Sequence, residues 1–166
     1  MDVQQTNLER FELFFPERRQ FFLENADIFA NFGYANFRPF FSRRIGLGVP
    51  IQFGARLSGK LDKNWRIGIL DTQTAAQDSL PSNNFAVFAL QRRVFSRSNI
   101  RFMFINKQAV NYSEEKNGYY NAYNRNVGAE FNLASRNNLW TGKALVFKSF
   151  SPGSKPEEWS HAADIS

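Results

Sequence analysis

The chain has 166 residues, 43% hydrophobic and 22% charged, with ordinary glycine and proline content, which excludes a disordered tail, a collagen-like repeat and a Pro-rich linker. Mean hydropathy is −0.45 and no apolar run approaches the ~18 residues of a membrane-crossing helix. The net charge is +6, but Arg18-Arg19, Arg43-Arg44 and Arg92-Arg93 are short, scattered doublets, so the charge reads as a solvated surface or a polar lumen and no nucleic acid is expected as a partner.

Residues 1–48 form a Phe-rich N-terminal segment, with ten of the 19 phenylalanines between positions 11 and 41. Its apolar pattern follows neither a period of 2 nor one of 3.6, which suits a plug or wall-packing element with aromatics on more than one side. A short helix is expected over roughly Arg18–Phe29, with Pro16 near its start and Gly33 beyond its end. Residues 49–150 read as an antiparallel meander of about six long strands. In the first, Ile51, Phe53, Ala55, Leu57 and Leu61 alternate with Gln52, Arg56, Ser58 and Lys60. Asp62-Lys63-Asn64 is a tight turn, and Trp65, Ile67 and Ile69 open the second strand. Residues 71–83 read as a loop, and 84–95 as a third strand with apolar groups on both faces. Ile100, Phe102 and Phe104 alternate with Arg101 in the fourth. Tyr119, Tyr120 and Tyr123 open a fifth, and Leu139–Phe150 make a sixth. Residues 151–166 read as a polar tail. Short turns alternate with longer loops, as in a hairpin meander with one wet face or in a transmembrane β-barrel.

Cysteine is absent and His161 is the only histidine, so no disulfide, thiolate or His-based metal site is expected and no cofactor is indicated. No Ser/His/Asp set, phosphate loop or dinucleotide fingerprint can be assembled. Glu17, Glu24 and Asp27 are the candidate acids, the last two three residues apart on one face of the expected helix. With Arg18, Arg19, Arg43 and Arg44 they form either an anion or acid–base site framed by phenylalanines, or ion pairs that pin the segment to a polar wall. Met1–Arg10 contains no secretory signal.

The run Phe14-Phe15-Pro16-Glu17-Arg18-Arg19-Gln20-Phe21-Phe22-Leu23-Glu24-Asn25-Ala26-Asp27-Ile28-Phe29 is unusual, as is Phe41-Ser42-Arg43-Arg44-Ile45-Gly46 followed by Pro50–Lys60. Together they resemble the membrane-barrel region of a bacterial outer-membrane family, domain of unknown function 5916, which occurs commonly in Bacteroidetes-type bacteria. Its members often carry an N-terminal carbohydrate-binding family 9-like domain. The resemblance is dense over residues 8–61 and one of pattern beyond. It implies an outer-membrane location, an antiparallel transmembrane barrel and lipid as a partner. It hints at polar or glycan-derived solutes and a carbohydrate partner, and implies no reaction and no catalytic residues. The missing signal, the small strand number and the ending HAADIS suggest an internal fragment whose partners include the remaining strands of a longer parent chain.

In that reading Arg18, Arg19, Glu24, Asp27, Arg43, Arg44, Arg56 and Lys60 line the lumen and Ile51, Phe53, Ala55, Leu57 and Leu61 face lipid. Trp65, Tyr119, Tyr120 and Trp140 lie near strand ends, where an aromatic girdle belongs, and Arg92-Arg93 belongs at an edge. Two other readings stand beside it. One is a soluble basic β-sheet module for polyanions or nucleic acid. The other is a fragment of a glycan-active hydrolase that uses Glu17, Glu24 or Asp27.

Overall fold

Seven antiparallel strands in chain order make one open sheet in the computed structural model, which describes residues 17–77, 80–137, 139–155 and 159–166, without the side chains of Lys116 and Tyr120. The strands are β1 (Ile51–Lys60), β2 (Trp65–Thr74), β3 (Ser82–Val94), β4 (Ser98–Val110), β5 (Tyr123–Ala134), β6 (Thr141–Phe150) and β7 (Trp159–Ile165). Each pairs with its neighbour in sequence. The shorter turns, after β1, β3 and β5, lie at one end of the sheet, and the longer connections, after β2, β4 and β6, at the other. The Asp62 carboxylate accepts the backbone N–H groups of Asn64 and Trp65 at 2.6 and 2.8 Å, which closes the first turn as expected.

Expectations about four elements are corrected. The meander has seven strands, not six, because Trp159–Ile165 adds to β6 where a polar tail was expected. All seven residues of β7 are exposed, so its alternation buries nothing and leaves no hydrophobic signature. β2 runs on to Thr74, into the expected loop. There Thr72 and Thr74 are buried, and the Thr74 hydroxyl exchanges hydrogen bonds with the backbone of Asn83. β5 opens at Tyr123, since Tyr119–Asn121 forms a 3-10 turn. The expected helix is two four-residue turns, α1 (Gln20–Leu23) and α2 (Asp27–Ala30). Glu24 is extended and Asn25 adopts φ +45°, so Glu24 and Asp27 do not share a helical face.

The two faces of the sheet differ. On the inner face Leu70, Val87, Ala89, Met103, Ile105, Leu145 and Phe147 are buried beneath Phe22, Ile28, Phe29, Phe32 and Ile45 of the N-terminal segment. On the outer face Leu57, Ile69, Ile100, Phe102, Phe104 and Val146 are exposed. The alternation assigns these faces correctly with one exception. A register shift between Ile51 and Phe53 turns Ile51 inward, opposite buried Thr74 and against the core, instead of outward with Phe53. The pair Arg92-Arg93 lies at the short-turn end of β3. Arg92 sits over the Trp65 ring at 5.0 Å, and Arg93 donates to the Ser96 carbonyl.

Candidate functional site

Three glycines on the wall make room for the aromatic segment. A Cβ on Gly68 would meet Phe29 Cζ at 2.7 Å and Ile28 Cγ2 at 2.9 Å. One on Gly128 would meet Phe147 Cδ2 at 2.6 Å and Phe32 Cζ at 3.0 Å, and one on Gly54 would meet Phe21 Cζ at 3.1 Å. The rings therefore sit directly on the backbone of β1, β2 and β5. Close approach of this kind maximises dispersion contact and leaves no room for any larger side chain.

Polar contacts fix the orientation of the docked segment. The Glu130 carboxylate on β5 is fully buried, with Arg101 directly across on β4 and Lys143 diagonal on β6. Their nitrogens lie 3.7 and 3.5 Å away. The carboxylate accepts the Gly33 backbone N–H at 2.6 Å and the Asn132 amide at 2.6 Å. Arg101 donates to the Asn31 carbonyl and Lys143 to the Gly33 carbonyl, both at 2.6 Å. Three charged side chains thus hold one loop of the segment by its backbone, which satisfies polar groups that burial would otherwise orphan. Gly33 is required there: its φ is +90°, and a Cβ would collide with the Phe37 carbonyl. Tyr34 extends the anchor to β7 by donating to Asp164 at 2.7 Å.

The eight residues singled out from the sequence fall into three places. Arg19 holds Glu17 at 2.8 Å, donates to the Ser42 and Ile45 carbonyls at 2.7 Å, and sits over the Phe22 ring at 4.3 Å. It thereby ties the start of the segment to the 3-10 turn Ser42–Arg44, which carries Arg43 and Arg44. Arg18 beside it is exposed. Burial raises the Glu17 carboxyl, but hydrogen bonds from Arg19 and Ser42 outweigh it, and the pKa falls to about 2. On β1, Arg56 donates to the Phe21 carbonyl at 2.7 Å and lies over the Phe29 ring, with exposed Glu24 attracting it. Asp27 forms a two-pronged pair with Arg66 on β2 at 2.6 and 3.0 Å. Hydrogen bonding from Arg66 outweighs burial and lowers the Asp27 pKa. Lys60 lies apart, on the rim of a cleft of about 350 Å³ at the short-turn end, with Lys63, Arg93 and Arg97.

Arg66, Arg101, Glu130 and Lys143, which do most of the holding, stood out in the sequence only as polar positions in alternating strands. The signal that marks them is parity: all four lie on the inward phase of their strands, as do Gly54, Gly68 and Gly128. A second cleft, of about 690 Å³, opens between residues 38–45 and the inner face of β3–β5. Among the described residues no group of three His, Cys, Asp or Glu side chains is arranged to hold a metal. No helix among them is long and apolar enough to cross a membrane, a statement that concerns helices alone. Comparison of the chain with protein-family models, curated proteins and solved structures gave no match.

Proposed function

We propose that the chain is part of the wall of an outer-membrane β-barrel, with its outer face against lipid and its Phe-rich segment packed on the lumen side. One observation carries this reading: a continuous apolar belt that crosses the sheet obliquely. Its members are Phe53, Ala55 and Leu57 on β1, Ile67 and Ile69 on β2, and Ala86, Phe88 and Leu90 on β3. Ile100, Phe102 and Phe104 continue it on β4, then Val127, Ala129 and Phe131 on β5, Ala144 and Val146 on β6, and Ala163 and Ile165 on β7.

Following the pairings from Leu57 through Ile69, Phe88, Phe104 and Val127 leads to Lys148 and Trp159. The belt therefore shifts towards the short turns as it crosses the sheet. The shift is about three rows, or ~20 Å along the strands over ~29 Å of sheet width, an angle of roughly 35°. Strands in transmembrane barrels tilt by about 35–45° from the bilayer normal, so a level bilayer would mark such a sheet with an oblique belt.

The belt has polar and aromatic margins. Asp71, Asn84, Asn106 and Arg125 border it towards the long loops, and exposed Trp140 and Phe95 stand at the short-turn end. Trp65 begins β2 at that same end. Tyr119 belongs to the long-loop end, and the side chain of Tyr120 lies outside the described residues. An exposed apolar face of this extent is rare on a soluble monomer and is the surface a bilayer stabilises. The resemblance of residues 8–61 to outer-membrane barrel sequences points the same way. The segment narrows the lumen, and cations along the inner wall favour polar or anionic solutes over apolar ones.

Fractionation of cells that make the native protein tests this. The protein should pellet with the envelope, resist carbonate and high salt, dissolve only in detergent, and change its gel mobility on boiling. Recovery in the soluble fraction without detergent would end the membrane reading.

A further inference from the structure

The cleft between residues 38–45 and the inner face of β3–β5 is built from donors and rings. Lys107 lies at its floor, opposite Asn124 on β5 and Phe85 on β3. Arg38 and Arg44 reach it from the segment, and Phe40 forms part of the wall. No acid lines it. Three other inward cations have acid partners: Arg66 has Asp27, while Arg101 and Lys143 share Glu130. Lys107 is half-buried and makes no hydrogen bond or ion pair among the described residues. A half-buried ammonium between aromatic walls carries a desolvation cost that only a counter-charge offsets. The Asn124 carbonyl oxygen already accepts from Asn126, which leaves the Asn124 amide hydrogens as further donors.

We propose that this cleft binds a small organic anion, a carboxylate or phosphate ester carried on a planar ring, with Lys107 as the central counter-charge. The ring lies between Phe40 and Phe85, and the anionic group reaches Lys107 with the Asn124 amide beside it. The volume, about 690 Å³, suits such a molecule, since small-ligand sites span roughly 300–1,000 Å³. The inference goes beyond the membrane reading and stands on the cleft alone.

The test is calorimetric titration of the whole chain, in detergent or buffer as its solubility requires, with phenyl phosphate and benzoate. Inorganic phosphate and benzyl alcohol serve as the ringless and uncharged controls. At least one ring-bearing anion should bind, and both controls should bind more weakly. Lys107→Met should weaken that binding by about tenfold or more, the value of a lost charge-assisted hydrogen bond, and Lys107→Arg should retain most of it. The unliganded Lys107→Met protein should be at least as resistant to thermal unfolding as the parent, which separates lost binding from lost folding. The proposal is overturned if neither ring-bearing anion binds at millimolar concentration, if Lys107→Met binds as well as the parent, or if either control binds as tightly as the ring-bearing anions. Cell fractionation judges the membrane reading separately, so the two can fail independently.

Discussion

Glu130 is the residue on which docking of the segment turns. It is buried, faces two cations, and accepts a backbone N–H from the loop that it holds. Glu130→Leu would leave Arg101 and Lys143 without a counter-charge and Gly33 without its acceptor. Breaking a buried pair in this way costs about 3–5 kcal/mol, so the midpoint of chemical unfolding should fall sharply. A midpoint unchanged from the parent would show that the network contributes nothing. The glycines give a second residue-level test. Gly68→Ala drives a methyl into Phe29 and Ile28 and should destabilise by about 1–3 kcal/mol, the usual effect of overpacking. Gly59→Ala meets nothing within 4 Å and should be neutral or stabilise by about 0.4–1 kcal/mol through the unfolded chain. Equal effects of the two substitutions in thermal unfolding would refute the account of rings seated on bare backbone. Neither role was legible in the sequence. A glycine in a strand reads as a weak position, and a lone glutamate between Ala129 and Phe131 reads as a wet one. Only the register that sets Glu130 opposite Arg101 reveals otherwise.

Among the elements, the N-terminal segment is the one whose hold on the sheet depends on acid. Glu17 has a folded-state pKa of about 2 against an ordinary 4.5, and Asp27 is also lowered. Depressed carboxyl values contribute stability that is fully present above the unfolded pKa and is lost as pH falls through the folded one. Contacts from Glu17 to Arg19 and Ser42 should therefore loosen between 4.5 and about 2, and the Asp27–Arg66 pair should loosen as pH falls below the ordinary aspartate value of 3.8. Hydrogen exchange should rise in residues 17–45 over that window before it rises in β3–β5, and Glu17→Gln should flatten the response. Exchange rising uniformly across the chain would contradict separate docking. The elements were unequally legible. β1 alternates clearly because large apolar groups point outward and polar ones inward, whereas β3 and β4 carry apolar groups on both faces and read as strands from apolar and aromatic runs bounded by polar turns. β7 carries no such contrast, and the end of β2 hides its burial behind threonines. The helix was overestimated because composition does not reveal the turn at Glu24 and Asn25.

Across the whole molecule, the deciding feature is that both faces of one sheet are rich in large apolar residues while only one of them is covered. Covered, the inner face behaves as a core: its rings meet glycines and its charges are largely paired. The outer face is uncovered and presents large apolar groups, and the membrane proposal places lipid against it. Phe102 lies near the middle of the belt and Trp140 at its short-turn margin. In a bilayer, Phe102→Arg should cost about 2–4 kcal/mol and Trp140→Arg about 0–1, because the cost of a lipid-facing charge falls steeply with distance from the midplane. In water both positions are already exposed, so either arginine should be harmless or should improve solubility. Unfolding of the two variants in lipid vesicles and in aqueous buffer separates the cases. A large penalty at Phe102 in vesicles, with a small one at Trp140, is the bilayer signature. Equal and small effects in both media would assign the exposed face to water, and the segment packed on the other face would then be an ordinary core.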